Sequence, residues 1–429
     1  MSAQVSSSQS GMCEGSQKHG FDVLYISLDG MTDPLGRSQV LPYLFGLSKR
    51  GHRITLLTLE KPAAFASEAD KVRKLLNDAN IRWVPLPYRL SPPIVSRLWN
   101  VRALRKRAHS LQRETGFDLV HCRSYIPASV GLSLRRRYGV PFLFDMRGFF
   151  ADERKEGGGW PQSNPFFRLV YRHFKALEQD LLKEASHVIS LTHQGRSELE
   201  RMTRGHLDAK SVTIIPCCVD FSHFPLISPA KRREARKNLG IGAEGRVVAY
   251  LGSVGSWYML DEMMDFFKIY HERFPDATFL FVTPSSPGMI VSAAARKGLR
   301  EDAIVIRSAS REEVPEFMAA ADLGLFFIRP VFSKKASSPT KMAELIALGL
   351  PIVTNSGVGD VTEIVEQTGC GVAINDFTDQ AYRDAIEAIE QRSESVEDVR
   401  RKAQPIFDVD LGVAQYDACY RSIAAEAQP

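Results

Sequence analysis

Short, continuous apolar runs alternate with longer helical segments along almost the whole chain, and this alternation restricts the possible folds more than any other feature. The first series of runs covers 23–28, 53–59, 81–86, 117–121, 142–145, 187–191 and 212–215, and the second covers 247–251, 278–282, 303–306, 323–328 and 352–354. Such runs are typical of parallel strands buried on both faces, joined in βαβ units. Two series predict an α/β protein with two Rossmann-like domains.

The length of 429 residues also favours two domains. A charged segment at 221–244 separates the two series and is the candidate linker. We predict a first domain over 20–226, a second over 227–408, and a final helix within 409–429. Residues 1–19 are polar and rich in Ser and Gly, without the apolar core of a signal peptide, and are predicted to form a disordered tail.

The overall composition, with 44% hydrophobic and 24% charged residues, is that of a globular protein. The net charge of +5 is too small to indicate nucleic-acid binding. The six cysteines lack the paired spacing of a zinc site, and no apolar run is long enough to span a bilayer. These features predict a cytoplasmic protein with reduced thiols, no metal site and no cofactor.

The helix start after the fourth strand of the second series carries a candidate ligand site. Its sequence, Ser-Ser-Pro-Thr-Lys-Met-Ala-Glu, predicts Ser338 as N-cap and Pro339 as the first helical residue. The N–H groups and the dipole at a helix N-terminus favour a phosphate. Thr340, Lys341 and Glu344 share one helix face. This combination suits a nucleotide sugar, and its alternative is an ordinary capped helix with solvated Lys and Glu.

The segment from Asp322 to Glu366, which contains this helix, resembles the signature of family 4 glycosyltransferases of the GT-B fold. It ends in the turn Gly-Asp-Val-Thr-Glu-Ile-Val over 359–365. In the family a helical Glu binds the nucleotide ribose, and Glu344 matches it; the usual first Glu is Ala336 here, while the Ser-Pro-Thr-Lys start is a family variant. The resemblance covers nearly all of the chain beyond the tail. It implies two domains facing across an interdomain cleft and a last helix that crosses back to the first domain.

One loop of the second domain departs from the family. Most relatives have an Arg and a Lys after the first strand of this domain, and both hold the donor diphosphate; this chain has Ser253 and Tyr258 instead. One alternative is a monophosphate donor. Another is a loop whose N–H groups bind the phosphate while Trp257 and Tyr258 stack on a ring.

A cation supplied from elsewhere is the third possibility, because charge on a leaving phosphate needs compensation. The candidates are Lys341, Arg329, Lys334, Lys335 and Arg147. The predicted donor-binding residues are Gly252, Ser253, Tyr258, Arg329, Ser338, Pro339, Thr340 and Glu344. The predicted catalytic residues are Lys341, Arg147 and Glu153.

In the first domain, the loop after the first strand is expected to face a ligand. Gly36 is the best match to a glycine loop that the family places near donor and acceptor. We predict Asp33, Gly36 and Gln39 on the acceptor side, and a plain βα turn is the alternative.

Arg147 follows the fifth strand, where many relatives have a His close to the reacting sugar. An arginine cannot act as a base, but it can bind a phosphate or carboxylate through two hydrogen bonds. The alternative is an ion pair with Asp152 or Glu153 that only orders the loop.

The helix predicted over 95–113 is strongly basic. Its arginines, among them Arg102, Arg105 and Arg107, alternate with apolar residues that include Trp99. Such a helix is typical either of a solvated charged face or of docking on anionic lipid. Peripheral contact with the inner face of a membrane is therefore one of two expectations.

Together these features predict an enzyme, a glycosyltransferase moving a sugar from a nucleotide-sugar donor to a hydroxyl of a glycan or lipid-linked acceptor. The resemblance implies retention of anomeric configuration without a metal. Two alternatives stay open: a nucleotide-sugar epimerase of the same fold, and a non-catalytic binding subunit, which the loss of the Arg/Lys pair makes credible.

Overall fold

Seven parallel strands form the first sheet in this computed structural model, which describes residues 20–204 and 211–426. The strands are β1 (Asp22–Ser27), β2 (Arg53–Glu60), β3 (Arg82–Pro87), β4 (Leu119–Arg123), β5 (Phe142–Asp145), β6 (His187–Ser190) and β7 (Val212–Ile214). Their order is β3-β2-β1-β4-β5-β6-β7, and β4 and β5 are buried along their whole length. The strand sequences are continuous apolar runs because helices cover both faces of the sheet. The predicted tail 1–19 lies outside the described residues.

The helices of the first domain are α1 (Pro34–Gln39), α2 (Leu41–Lys49), α3 (Pro62–Asp78), α4 (Pro93–Thr115), α5 (Tyr125–Tyr138), α6 (Phe150–Glu156), α7 (Pro165–Glu184) and α8 (His193–Met202). The segment between β1 and β2 forms two helices, because α1 and α2 meet at the non-helical Val40. Pro42 lacks the N–H that would continue the hydrogen-bond ladder from α1.

No helix within the described ranges is both long and apolar enough to cross a membrane.

Six parallel strands form the second sheet, in the order β10-β9-β8-β11-β12-β13. They are β8 (Val247–Leu251), β9 (Thr278–Val282), β10 (Ile304–Arg307), β11 (Leu323–Leu325), β12 (Ile352–Asn355) and β13 (Gly371–Ile374). The predicted strand 323–328 is too long, since Ile328 leaves the sheet and pairs with the side chain of Asn355 at 2.7 Å. Two parallel sheets with alternating helices confirm the predicted α/β class.

The helices of the second domain are α9 (Pro229–Leu239), α10 (Leu260–Arg273), α11 (Pro287–Arg296), α12 (Val314–Met318), α13 (Thr340–Ala347), α14 (Val361–Thr368), α15 (Asp379–Glu390) and α16 (Val396–Phe407). A 3₁₀ turn, Phe332–Ala336, precedes α13. The core of this domain is one cluster of buried side chains that includes β8, α10 and α13.

The strand order reverses between β1 and β4 in the first sheet and between β8 and β11 in the second. Ligands of open α/β sheets bind beyond the carboxyl ends of strands at such reversal points. Loops from these ends meet across the domains: the Thr192 hydroxyl donates to the Lys335 carbonyl at 2.6 Å, and Asp360 accepts from the backbone N–H of His193 at 2.7 Å. The edges at which sheets of this kind bind ligands therefore face each other.

The last helix, α17 (Val409–Glu426), packs on the first domain although it follows the second in the chain. The rings of Tyr416 and Tyr43 meet edge to face with centroids 5.5 Å apart. A Cβ at Gly46 of α2 would lie 2.5 Å from Val413, so this position requires a glycine for the close approach.

The two chain crossings between the domains run side by side. The N–H of Val219 donates to the carbonyl of Phe407 at 2.8 Å, and the N–H of Val409 donates to the carbonyl of Val219 at 3.1 Å. Backbone hydrogen bonds therefore hold the two crossings together between the domains.

Candidate functional site

Gly252 follows β8 at the reversal point of the second sheet and leaves room there. Its φ of +107° lies in a region that L side chains rarely adopt, and a Cβ on it would lie 3.4 Å from the Nζ atom of Lys341. Its N–H donates to the carbonyl of Val282 at 2.9 Å. The turn after β8 can therefore approach the Lys341 amine closely.

Lys341 reaches this turn from the start of α13 and lies against two tyrosines. Its Nζ atom donates to Oη of Tyr250 at 2.8 Å and lies 3.9 Å from that ring's centroid and 3.6 Å from that of Tyr258. The Tyr250 hydroxyl donates onward to the carbonyl of Ser253 at 2.6 Å. Lys341 is only 6% exposed. The alternative of a solvated lysine on an ordinary capped helix is therefore wrong.

The charge of the Lys341 amine depends on its surroundings. Burial lowers its pKa well below the ordinary value, and the Glu344 carboxylate offsets this only in part. The two ring faces favour the ammonium form, as cation–π contacts do. Burial raises the pKa of Tyr258 to about 12, so its hydroxyl stays protonated. An anion arriving at Gly252 would favour the charged amine.

Glu344 lies one helical turn beyond Lys341 and is also buried, at 8% exposure. Its Oε1 atom accepts from Arg311 at 3.2 Å. Burial raises the pKa of Glu344, while Arg311 and Lys341 pull it back towards the ionised form. A carboxylate held in place by Arg311 has a second oxygen to offer to the hydroxyls of a ligand.

The helix start differs from the prediction. α13 begins at Thr340 with Pro339 at the cap position, so Ser338 is not the N-cap. The Ser338 hydroxyl instead accepts from the backbone N–H of Cys217 at 3.1 Å. Pro339 has no side-chain oxygen that could cap the helix. The Ser338 hydroxyl, which was predicted to do so, is bonded to the first domain. Ser338 thus joins the two domains beside the site.

Arg147 follows β5 and points to the same junction. Its φ of +58° is unusual for a non-glycine residue and marks a constrained position. Its Nη2 atom donates to Sγ of Cys217 at 3.2 Å, and Nη1 lies 3.8 Å from Oδ1 of Asp145. Asp152 instead accepts from Tyr171 and Lys175. The interpretation of Arg147 as the ion-pair partner of Asp152 or Glu153 is therefore wrong.

A buried charged network lies behind Arg147 at the ends of β4 and β5. Around Asp145, Oδ2 accepts from Tyr416 of α17 at 3.1 Å and lies 3.6 Å from His121 and 3.7 Å from Arg123. Burial alone would raise the pKa of Asp145, but Arg147, His121 and Arg123 hold it below its ordinary value.

In residues 20–204 and 211–426, no three His, Cys, Asp or Glu side chains gather as a metal site.

The residues predicted on the acceptor side are mostly engaged within the first domain. Asp33 pairs with Lys61 at 3.0 Å, and buried Gln39 donates to the carbonyl of Cys218 at 3.2 Å. A Cβ at Gly36 would lie 2.1 Å from the carbonyl oxygen of Gly30, so this glycine serves close packing.

Glu153 and Arg329 lie at a contact between α6 and the second domain. Lys334 donates to Glu153 at 2.7 Å, and Arg329 donates to the backbone carbonyl of Glu156 at 2.9 Å. Both cations also lie over the Trp257 ring, with Nζ of Lys334 3.9 Å from its centroid. Trp257 therefore lies under two cations of its own chain in this structure.

Each half of the chain matches a family model. Residues 43–223 match the model described as Glycosyltransferase Family 4, and residues 231–405 match Glycosyl transferases group 1. The chain belongs to the family 4-like glycosyltransferases of the GT-B fold. The family and enzyme class predicted from 322–366 are thereby confirmed, whereas the assignment of the helix start to a family variant stays a prediction.

Curated relatives share little sequence with this chain. A D-inositol 3-phosphate glycosyltransferase of Jonesia denitrificans is 20% identical over 285 residues, which is 64% of each chain. The chain spans slightly less than two thirds of the first such relatives, at 64%, 60% and 63% of their lengths.

Solved structures match over almost the whole fold. Anabaena Alr3699/HepE in complex with UDP and glucose has a TM-score of 0.68 at 16% identity, covering 94% of this chain and 100% of that chain. Sucrose-phosphate synthase from Thermosynechococcus elongatus has a TM-score of 0.71 at 16% identity, covering 95% and 100%. These structures support the GT-B architecture.

The sequence analysis missed four residues that surround the candidate site. Tyr250 looks like a core strand residue, and Arg311 lies in an irregular loop, so neither carried a local signal. Arg123 and Asp145 end β4 and β5 and could have been found by the strand-end argument that found Arg147.

Proposed function

We propose that this protein transfers a sugar from a nucleotide-sugar donor to a hydroxyl of a glycan or lipid-linked acceptor, with retention of anomeric configuration and without a metal ion. The observation that carries the proposal is the arrangement of Gly252, Lys341 and Glu344 at the reversal point of the second sheet. A glycine turn and an amine suit a phosphate, and a carboxylate suits sugar hydroxyls.

The donor would lie with its phosphates at Gly252 and Lys341 and its ribose at Glu344. Three residues along a helix span about 4.5 Å, which is comparable to the step from a phosphate to the adjoining sugar. Thr340 adds a hydroxyl at the helix start, and Tyr258 closes the other side. UDP bound by the Anabaena neighbour supports a nucleoside diphosphate as the leaving group.

Negative charge grows on the leaving phosphate as its bond to the sugar breaks. A cation that meets this charge lowers the barrier more than it strengthens donor binding. Lys341 is positioned for this role. A second cation, Arg147, lies close to the start of α13, because Cys217 contacts both Arg147 and Ser338.

The acceptor would enter from the first domain, beside Arg147. A guanidinium held near Asp145 and partly exposed is suited to an anionic group on the acceptor, such as a phosphate or carboxylate. Several relatives are named D-inositol 3-phosphate glycosyltransferases, and a phosphorylated acceptor agrees with this chemistry. Glu153 and Arg329 are assigned to domain contact, because each bonds across it.

Membrane docking through α4 is the second part of the proposal. The buried face of this helix is formed by Ser96, Asn100, Leu104, Ala108 and Leu111. Its exposed face combines Leu98, 59% exposed, and Trp99, 47% exposed, with Arg97, Arg102 and Arg105. Apolar and basic side chains together favour the cytoplasmic, anionic face of a membrane, which would bring a lipid-linked acceptor close.

A donor screen tests the proposal. The full chain is heated with UDP-, GDP-, ADP-, dTDP- and CMP-linked sugars, and a true donor at 100 times its Kd should stabilise the native state by about 2.7 kcal/mol. The best donor, labelled in its sugar, is then incubated with lipid extracts and oligosaccharides in EDTA. Transfer of label is the expected result.

Other outcomes separate the alternatives. Conversion of the free nucleotide sugar without any acceptor would favour an epimerase. Donor binding without turnover on any acceptor would favour a binding subunit. No stabilisation by any of the nucleotide sugars would contradict a donor site at Lys341.

A further inference from the structure

The side chain that replaces the family's lysine contacts a lysine from another element. Tyr258 stands where most relatives carry a cation, and its ring centroid lies 3.6 Å from Nζ of Lys341. The amine also lies beside Gly252, at the turn where the missing pair would hold a diphosphate. A cation from α13 therefore lies at the turn after β8, where two aromatic rings contact it.

We infer that Tyr250 is a positioning residue and that, with Tyr258, it forms a cradle that holds the Lys341 amine at the phosphate subsite in place of the usual arginine–lysine pair. The inference rests on the proposed function, because it assigns the subsite to a donor phosphate. It adds a consequence: donor binding charges the amine and takes up a proton.

The hydrogen bonds of Tyr250 fix its orientation. A carbonyl oxygen can only accept, so the Tyr250 hydroxyl donates its proton to Ser253. Its oxygen is then left to accept from Nζ of Lys341 at 2.8 Å. Tyr250 is fully buried at 0% exposure, so water cannot readily replace this hydroxyl. The amine is tied in this way to the loop that carries Gly252.

The groups that face the amine leave it short of negative charge. Tyr250 comes from β8 and Tyr258 from the loop that follows, and both hydroxyls have pKa values raised by burial. Glu344, on α13 itself, is shared with Arg311. Burial therefore lowers the pKa of Lys341, and a diphosphate would supply the missing counter-charge. A guanidinium would stay charged throughout, so proton uptake distinguishes this site from one built on arginine.

Calorimetry with UDP, GDP, ADP and dTDP tests the cradle without any turnover. The tightest of the four is titrated into wild type, Tyr250→Phe, Lys341→Met and the double variant between pH 7 and 9, in two buffers of different ionisation enthalpy. Tyr382→Phe is the matched control, since its hydroxyl is buried in the same domain and has no hydrogen-bond partner among the described residues.

In wild type we expect nucleotide binding to take up a proton and its affinity to fall as pH rises. In Lys341→Met we expect no proton uptake and an affinity that does not change with pH. Tyr250→Phe should weaken binding about fivefold to tenfold, as for loss of one hydrogen bond. The same change should have no further effect in the Lys341→Met background, and Tyr382→Phe should match wild type.

Two results would overturn the cradle while leaving the donor site intact. One is wild-type affinity and proton uptake in Tyr250→Phe; the other is equal weakening by Tyr250→Phe with and without Lys341. If Tyr250→Phe does not fold, Tyr258→Leu removes the other ring and should reduce proton uptake, and unchanged uptake contradicts the cradle. Absence of binding by all four nucleotides in wild type would instead contradict the proposed function.

Discussion

The two faces of the interdomain junction hold their cations in opposite ways. On the second domain, Lys341 lies against two neutral tyrosines and is largely uncompensated. On the first, Arg147 and Arg123 lie within 3.8 Å of the buried carboxylate of Asp145, and Arg123 also pairs with Asp29 at 3.1 Å. The first face is charge-balanced on its own, and under the proposed function the second would gain its counter-ion only from the donor phosphate.

The difference shows how each face can contribute to a reaction. An amine whose charge depends on the ligand responds to phosphate charge that develops during bond cleavage. A guanidinium in a balanced network mainly fixes the position of a partner. Substitution of Lys341 should therefore change kcat, and substitution of Arg147 should change acceptor KM.

Lys341→Met should have the largest effect. We expect kcat to fall about 10²–10³-fold with a smaller change in donor KM, as for loss of one oxyanion donor. Steady-state kinetics with the labelled donor measures both. Lys268→Met, an exposed lysine on α10, is the control and should behave as wild type. Wild-type kcat in Lys341→Met would show that another cation, such as Arg147, holds the phosphate.

The same variant should change how stability depends on pH. The folded pKa of Lys341 lies below its unfolded value, so between the two the unfolded chain binds the extra proton. Wild-type stability should therefore rise with pH across that window relative to Lys341→Met. Chemical denaturation at several pH values measures the free energy of unfolding of both proteins. The same pH dependence in wild type and variant would show that the Lys341 amine is more hydrated than its burial indicates.

Glu344→Ala should weaken nucleotide binding by about 1.5–3 kcal/mol, the range for hydrogen bonds to charged groups. Calorimetry measures the dissociation constant, and Glu366→Ala on the exposed side of α14 is the control. A folded variant with unchanged affinity would remove Glu344 from the donor site.

Arg147→Gln should raise acceptor KM about tenfold to fiftyfold and leave donor KM nearly unchanged, since a bidentate contact is lost. Because Arg147 helps to keep the pKa of Asp145 low, the variant should also lose stability at a higher pH during acid titration. Arg137→Gln, exposed on α5, is the control. A fall in kcat with unchanged acceptor KM would transfer Arg147 to the leaving-group side.

Neutralising Arg97, Arg102 and Arg105 should have the smallest effect on chemistry. Turnover of a soluble acceptor should stay at the wild-type value, while sedimentation with anionic vesicles should be lost. Arg107 is left in place because it pairs with Glu114 at 2.8 Å. Equal sedimentation of wild type and variant would leave α4 as a solvated helix.

Most of the fold could be predicted because its strands are continuous apolar runs. The strands that were missed or misjudged are short: β13 begins with Gly371, and β11 ends at Leu325 because the Asn355 side chain captures the chain beyond it. Helix α3 and the break at Val40 depend on local prolines and packing that periodicity alone does not resolve.

The candidate site could be predicted only where residues are close in sequence. Lys341 and Glu344 share one helical turn, so their proximity follows from spacing. The contacts of Lys341 with Tyr250, and of Ser338 with Cys217, join segments far apart in the chain. Nothing in a single sequence indicates that a tyrosine in a buried strand meets a lysine on a distant helix.

The position of α17 has a consequence for how the protein is made. This helix covers Tyr43 and Gly46 of the first domain but follows β7 by nearly the entire second domain. At about 5–20 residues per second, a ribosome needs roughly ten seconds or more to deliver it. During that interval the emerging first domain would expose the apolar side of α2 as a nascent chain. Synthesis speed, and any chaperone acting at the exit tunnel, would therefore affect the yield of folded protein.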